Sequence, residues 1–165
     1  MYGDLEAAGD QRRLRFQRHL PHTPERVWQA ITEPEHLQAW FPQRIVGPWQ
    51  VGGMLRFEGE GGSFEGEVLR YQPETLLEFR WGTDVIRLEV TPHGGGTTLT
   101  LLDTFADLGK AARDGAGWHA CLDCLAYQLE GGVAPWESPQ QRWVAVHPGY
   151  LERFGPAAAT VGPPG

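Results

Sequence analysis

The chain has 165 residues, a hydrophobic fraction of 41%, an aromatic fraction of 11% and a net charge of −7. That length fits one domain with a tail, and seven Trp with seven Phe exceed what a minimal core needs. The acidic balance, with a pI near 5.3, argues against a nucleic-acid partner, which needs a basic face, and no stretch reads as membrane-binding or membrane-spanning.

Residues 1–11 are small and polar and read as a flexible N-terminus. The terminus has neither a charged n-region nor an apolar h-region, so the expected location is cytoplasmic. Arg12 to Leu20 alternates, with Leu14, Phe16, Arg18 and Leu20 on one face, and predicts a first strand. Thr23 is a good N-cap and Pro24 suits the first helical position, so 24–32 is a short helix. Glu33-Pro34 breaks it, and Pro34 to Trp40 predicts a second short helix.

Strand and turn signals follow. Ile45–Val51, Met54–Glu58, Ser63–Tyr71, Leu76–Trp81, 85–91 and Thr97–Phe105 are separated by Gly- and Pro-rich turns. Alternation directs Phe57, Phe64, Phe79, Trp81, Leu88, Leu101 and Phe105 to one side, with Arg and Glu opposite them. Asp114 is placed to start a long helix and Gly131-Gly132 to end it. Trp118, Leu122, Leu125 and Leu129 form one apolar stripe along it, and the strands are the only large partner available. The fold class is therefore α+β: a helix-grip arrangement in which a curved antiparallel sheet of about six strands wraps a long C-terminal helix, with two short helices after the first strand. The domain spans 12–132. Residues 133–165 hold six of the thirteen prolines and form an extension packed in part on the domain or on a partner, with 142–146 a short element and 157–165 loose.

This order resembles the START-like helix-grip (SRPBCC) superfamily, and within it the bacterial relatives of the Hsp90 ATPase activator C-terminal domain. The phrases that carry the resemblance are Thr23-Pro-Glu-Arg-Val-Trp28, Ile31-Thr-Glu-Pro34, Trp40-Phe41, Val51-Gly-Gly53, Gly66-Glu-Val-Leu69, Pro73 to Trp81, Gly96 to Leu101, and Gly117-Trp118 with Leu122-Asp123. The resemblance covers about residues 12–131. It implies a fold and a cavity; relatives include lipid and hormone binders, polyketide cyclases, proteins that sequester toxic natural products, and a co-chaperone domain. Fold alone does not choose among them.

The inward residues Trp40, Phe41, Phe57, Phe64, Phe79, Trp81, Leu101, Asp103, Phe105, Trp118 and Leu122 are the candidate lining of a cavity between sheet and long helix. The bland alternative is that they fill a core. Asp103 points inward by alternation, near the strand end, where water or an amide would satisfy it; desolvated, its pKa would rise. Arg18 shares the inner face of its strand and would snorkel to the rim or pair with an acid. His119 lies about a quarter-turn from the apolar stripe, at the cavity edge or in solvent.

Cys121 and Cys124 form a C-x-x-C, but they stand well inside the helix with no second pair, so they read as small residues beside the stripe rather than as a redox or metal site. The six histidines are scattered, and there is no phosphate loop or nucleophile elbow, so neither metal nor cofactor is expected.

The resulting reading is non-catalytic binding of a small, largely apolar or aromatic molecule. One alternative is a cyclase- or hydrolase-like enzyme using Asp103 and His119 with Arg18 as anchor. Another is a protein-interaction module, as a homodimer through an exposed patch around Trp136, Trp143 and Tyr150.

Overall fold

The computed structural model of the protein describes residues 1–162. Twelve elements follow in order: β1 (Asp4–Ala8), β2 (Gln11–Leu20), α1 (Pro24–Thr32), α2 (Pro34–Leu37), β3 (Arg44–Val46), β4 (Met54–Gly59), β5 (Gly62–Gln72), β6 (Leu76–Trp81), β7 (Asp84–His93), β8 (Gly96–Phe105), α3 (Ala111–Leu129) and α4 (Pro139–Phe154). The strands form one antiparallel sheet in the order β1-β2-β8-β7-β6-β5-β4-β3.

Eight strands replace the expected six or so. The first addition is β1, inside the segment expected to be flexible. Gly9-Asp10 is a two-residue hairpin turn, with Gly9 at φ +64, and it folds β1 back on β2 so that Leu5 lies opposite Leu14 and Glu6 opposite Arg13. Arg13 Nε donates to Glu6 Oε1 at 2.7 Å. The other difference is local. The strand expected over 45–51 shrinks to β3, because Gly47-Pro48 turns the chain away before it can pair further.

The helix pair after β2 forms as its capping residues dictate. Thr23 accepts from the Arg26 amide at 3.2 Å and Pro24 occupies the first turn. The second helix stops at Leu37, three residues short of the expected end, and Trp40 closes the turn by donating its indole N–H to the Ala30 carbonyl at 2.9 Å. Trp49 Nε1 likewise donates to the Thr32 carbonyl at 2.9 Å.

On the sheet, Leu14, Phe16, Leu55, Phe57, Val68, Leu77, Phe79, Ile86, Leu88, Leu99, Leu101 and Phe105 are all buried on the inner face. A register shift between Val68 and Arg70 bends β5, and Gly66 sits where it crosses β6: a Cβ there would overlap the Arg80 carbonyl oxygen.

The long helix α3 begins earlier than Asp114, after a 3-10 turn at Leu108–Lys110 whose Gly109 amide donates to Asp107 Oδ1 at 2.9 Å. It buries twelve of its nineteen residues, more than one stripe accounts for. The second covering layer is α4, much longer than the short element expected at 142–146. It buries Trp143, Val146 and Tyr150 against α3. Gly115 makes the contact close: its missing Cβ would lie 3.0 Å from Tyr150 Cδ1. The chain then doubles back to the start of α3, where the Val161 amide donates to the Gly109 carbonyl at 3.0 Å and Ala158 is buried. Of the tail expected to be loose, residues 163–165 lie outside the described residues. No helix among the described residues is long and apolar enough to cross a membrane.

Candidate functional site

Inner-face alternation in β4, β5 and β6 brings Phe57, Phe64, Phe79 and Trp81 onto one surface. Phe57 is directly paired with Phe64, and the two rings stack at 5.1 Å. Phe41, delivered by the turn after α2, lies 6.2 Å from Phe57 and 5.7 Å from Trp118 of α3. Trp118 also meets Trp81 at 5.2 Å, and Trp81 Nε1 donates to Gln43 Oε1 at 2.9 Å. Each such aromatic contact adds ~0.5–1.5 kcal/mol beyond area burial, so the cluster is a stiff surface. Trp40 packs on Phe41 at 5.5 Å, and Leu101, Phe105 and Leu122 are buried in the core.

The rings expected to line an open cavity thus meet one another. Only one end of the cluster reaches solvent: Phe64 is 36% exposed and Trp81 is half-buried. Two concavities stand out elsewhere. A groove of about 480 Å³ at the C-terminal end of α3 is lined by Cys124, Tyr127, Gln128 and Trp136 among others, and a smaller one of about 230 Å³ lies among Arg13, Glu78 and Arg87 on the outer face of the sheet.

Behind Trp118 lies a buried acidic cluster. Asp103 is 0% exposed and accepts the Trp118 indole N–H on Oδ2 at 2.9 Å, so the expected solvent-satisfied strand end is not what forms. Asp84, 2% exposed, projects from the start of β7 on the same face and accepts from Lys110 Nζ on Oδ1. Asp114 accepts from Arg113 Nε at 2.7 Å and lies 3.8 Å from Lys110 Nζ. Burial first, then the charge of Asp84, holds the Asp103 carboxyl well above the usual carboxylate range, and burial raises Asp114 against the pull of Arg113 and Lys110. Oxygens of Asp84, Asp103 and Asp114 lie within 4.8 Å of one another, a spacing that a cation spans; the Lys110 ammonium already reaches two of the three.

His119, the next residue of α3, points the other way. It is 2% exposed, correcting the expectation of a helix-edge position, because α4 covers it. Its Nδ1 lies 2.8 Å from the Tyr150 hydroxyl, which also accepts the Gly3 amide at 2.8 Å. Nε2 lies 3.5 Å from Asp123, itself bonded by Arg142 Nε at 2.8 Å. The arrangement that satisfies all these groups is neutral His119 with its proton on Nε2 toward Asp123 and Nδ1 accepting from Tyr150. Burial pushes the His119 pKa down to about 4, against the opposing charge of Asp123, and pushes the Tyr150 hydroxyl up. Arg18 belongs to this side, its pKa lowered by burial with Asp123 opposing.

Asp103 and His119 therefore stand in two polar clusters that share no hydrogen-bond partner, and Arg18 faces only the second. Trp143 and Tyr150, expected in an exposed partner patch, are consumed by the α3–α4 contact, and Trp136 is half-buried against Tyr127 at 5.4 Å. Cys121 and Cys124 are free buried thiols whose pKa values burial raises, which keeps them protonated and poorly nucleophilic.

Sequence reasoning missed Asp84 and Lys110, and it placed Tyr150 in an exposed partner patch rather than against His119. The strand alternation through Ile86 and Leu88, extended back one step, puts Asp84 inward; it had been assigned to the turn. Lys110 and Tyr150 depend on where α3 starts and on α4 docking, for which the chain carries no local signal.

A model of the family described as "Activator of Hsp90 ATPase homolog 1-like protein" matches residues 21–130. Among proteins with curated descriptions, none matches the sequence. Several solved structures are similar. EF2215 from Enterococcus faecalis, a conserved protein of unknown function, is 21% identical over 92% of this chain and 90% of its own, with a TM-score of 0.77. CalU16 from Micromonospora echinospora is 21% identical over 92% of this chain and 96% of its own, with a TM-score of 0.76. DynU16, a protein in the dynemicin biosynthetic locus, is 29% identical over 73% of this chain and 48% of its own, with a TM-score of 0.66. The first two likenesses show the fold.

Proposed function

Because the chain belongs to the Activator of Hsp90 ATPase homolog 1-like protein family, we propose that it is a non-catalytic binder of a small, largely apolar, aromatic molecule that enters at Phe64 and Trp81. The observation that carries this reading is the exposed end of the aromatic cluster. Phe64 lies on the inner, core-facing side of the sheet yet is 36% exposed, and it is continuous through Phe57 and Trp81 with the buried rings of Phe41 and Trp118. A planar apolar molecule stacking there covers exposed ring surface and competes with the rings for one another, which favours an aromatic over an aliphatic ligand. DynU16, a relative whose description places it in a biosynthetic locus, accords with a small-molecule partner. The separation of Asp103 from His119 and Arg18 supports binding over the catalytic alternative built on those residues, since a general acid and base must reach one reacting point.

The test is titration with flavone, a neutral planar aromatic, followed by tryptophan fluorescence, with oleate as the aliphatic comparison. Saturable quenching is expected for flavone. Phe64→Ala should weaken it by about tenfold, the size of one lost aromatic contact with its buried area (~1.4 kcal/mol). Absence of saturable binding by either probe, or equal binding by Phe64→Ala, would reject the reading.

A further inference from the structure

Asp84 Oδ2 and Asp103 Oδ1 are both closed to water, and neither receives a hydrogen bond from the protein. Their carboxyl groups project from neighbouring strands: Asp103 is paired with Ile86, two residues beyond Asp84 on the same face of β7. The groups facing them are Lys110 from the turn before α3 and Arg113, Asp114 and Trp118 from α3 itself. Three carboxyl groups thus meet two cations. Fully ionised, the cluster retains one uncompensated negative charge away from water, a state that costs several kcal/mol. It also leaves two acceptor oxygens without a donor. One added proton removes both defects, since it neutralises the cluster and gives the two orphaned oxygens a donor and an acceptor. A divalent cation fits less well, because it would sit against the Lys110 ammonium already on Asp84.

We propose that Asp84 and Asp103 share one proton at neutral pH, and that this proton fixes Trp118 in the aromatic cluster, so that pH governs ligand affinity. The link is Trp118: its indole N–H is held by Asp103, while its ring forms the inner wall that touches Phe41 and Trp81. Loss of the proton makes Oδ2 a stronger acceptor for the Trp118 indole N–H, which by itself favours the ionised form. But it sets two adjacent buried carboxylates against each other, and it is their repulsion that moves the Asp103 side chain and Trp118 with it. The direction of the Asp103 pKa, raised by burial and then by Asp84, agrees with a retained proton. The ligand half of this inference rests on the binding reading above, whereas the shared proton does not.

The sign is fixed by linkage. The unfolded carboxyl releases its proton near 3.8, and the folded pair keeps it to higher pH, so this contribution to stability is complete below the unfolded pKa and is lost as pH rises through the folded one. If flavone binds only the one-proton form, its apparent Kd rises about tenfold per pH unit above the pKa of the pair.

Asp103→Asn is the decisive variant. Its amide oxygen accepts from Trp118 and its NH₂ donates permanently to Asp84, which mimics the protonated pair; Asp84→Asn does the same from the other strand should the first fail to fold. Infrared difference spectroscopy of the full chain is expected to show a protonated carboxyl C=O band at neutral pH that either variant abolishes. The alkaline loss of stability should flatten in the variant, and flavone affinity should lose its pH dependence. Absence of the band, or identical pH slopes in wild type and variant, overturns the shared proton. A rise in melting temperature on adding Mn²⁺ or Ca²⁺, reversed by chelator and absent in Asp103→Asn, overturns it in favour of a metal. If flavone binds with pH-independent affinity while the band persists, the coupling to the ligand is wrong. If flavone binds at no pH, the binding reading and the coupling both fail, and the band and stability slope still decide the proton.

Discussion

Replacing Tyr150 with Phe removes one oxygen and unties both ends of the chain from α3. The hydroxyl is fully buried, accepts the Gly3 amide and bonds His119 Nδ1, each at 2.8 Å. The ring of Phe fits the same space, against Gly115 and 4.9 Å from Tyr2, so packing is retained and the loss is confined to hydrogen bonds. A buried donor or acceptor left without a partner costs ~1–3 kcal/mol, so orphaning the Gly3 amide and His119 Nδ1 together costs ~2–4 kcal/mol, allowing for water reaching the frayed end. For a chain of this length each kcal/mol lowers the melting temperature by about 2–4 °C, which gives a fall of roughly 4–16 °C. Urea unfolding should show the midpoint lowered with an unchanged m-value. The β1–β2 hairpin should also exchange its amides faster, because Gly3 precedes β1. A loss under ~0.5 kcal/mol would show that the hydroxyl bonds carry no net stability and that the N-terminus is held by something else.

Three other outcomes follow from the same geometry. His119, buried and neutral with its pKa at about 4, binds a proton in the unfolded chain below 6.5 but not in the folded one. Its contribution is therefore complete above 6.5 and lost as pH falls toward 4, and His119→Gln should flatten urea midpoints over that window. Gly66→Val forces a side chain into the Arg80 carbonyl where β5 crosses β6, and should lower stability by ~2 kcal/mol or more, or prevent folding, as read by thermal melting. Cys121 should react with a thiol reagent only at the rate of unfolding, and Cys121→Ala should leave the melting curve two-state; fast labelling of Cys121 in the native state of a Cys124→Ala variant, which removes the thiol lining the groove, would contradict its burial.

The parts of the fold that were legible in the sequence are those set by local chemistry. Thr23-Pro24 capped α1 as read, the alternation of Phe57, Phe79, Leu88 and Leu101 gave the inner face, and the Trp118-to-Leu129 stripe gave the helix that packs on it. What escaped depends on long-range pairing. The Gly9-Asp10 turn is a hairpin signal, but Asp4–Ala8 has little β propensity and becomes a strand only by lying on β2. In the same way, α4 extends well beyond the short element expected at 142–146 and carries Pro148 within it, because burial of Trp143, Val146 and Tyr150 against α3 stabilises the longer helix. His119 was misplaced for the same reason: one helical wheel cannot show a second layer. Asp103 was read as inward correctly, but its partners were out of reach, because Asp84 hid in a turn and Lys110 in a segment before the expected helix start.

The binding reading is tested most directly by following the seven tryptophan indole N–H resonances during a flavone titration. The tryptophans that the proposed ligand would reach at the exposed end of the cluster are Trp81 and, behind it, Trp118. Their resonances should move together and saturate, with Trp136 and Trp143 unmoved, and Phe64→Ala should displace the curve to about tenfold higher concentration. Movement of Trp136 alone would instead put the ligand in the groove at the end of α3, and no movement of any indole would contradict the account.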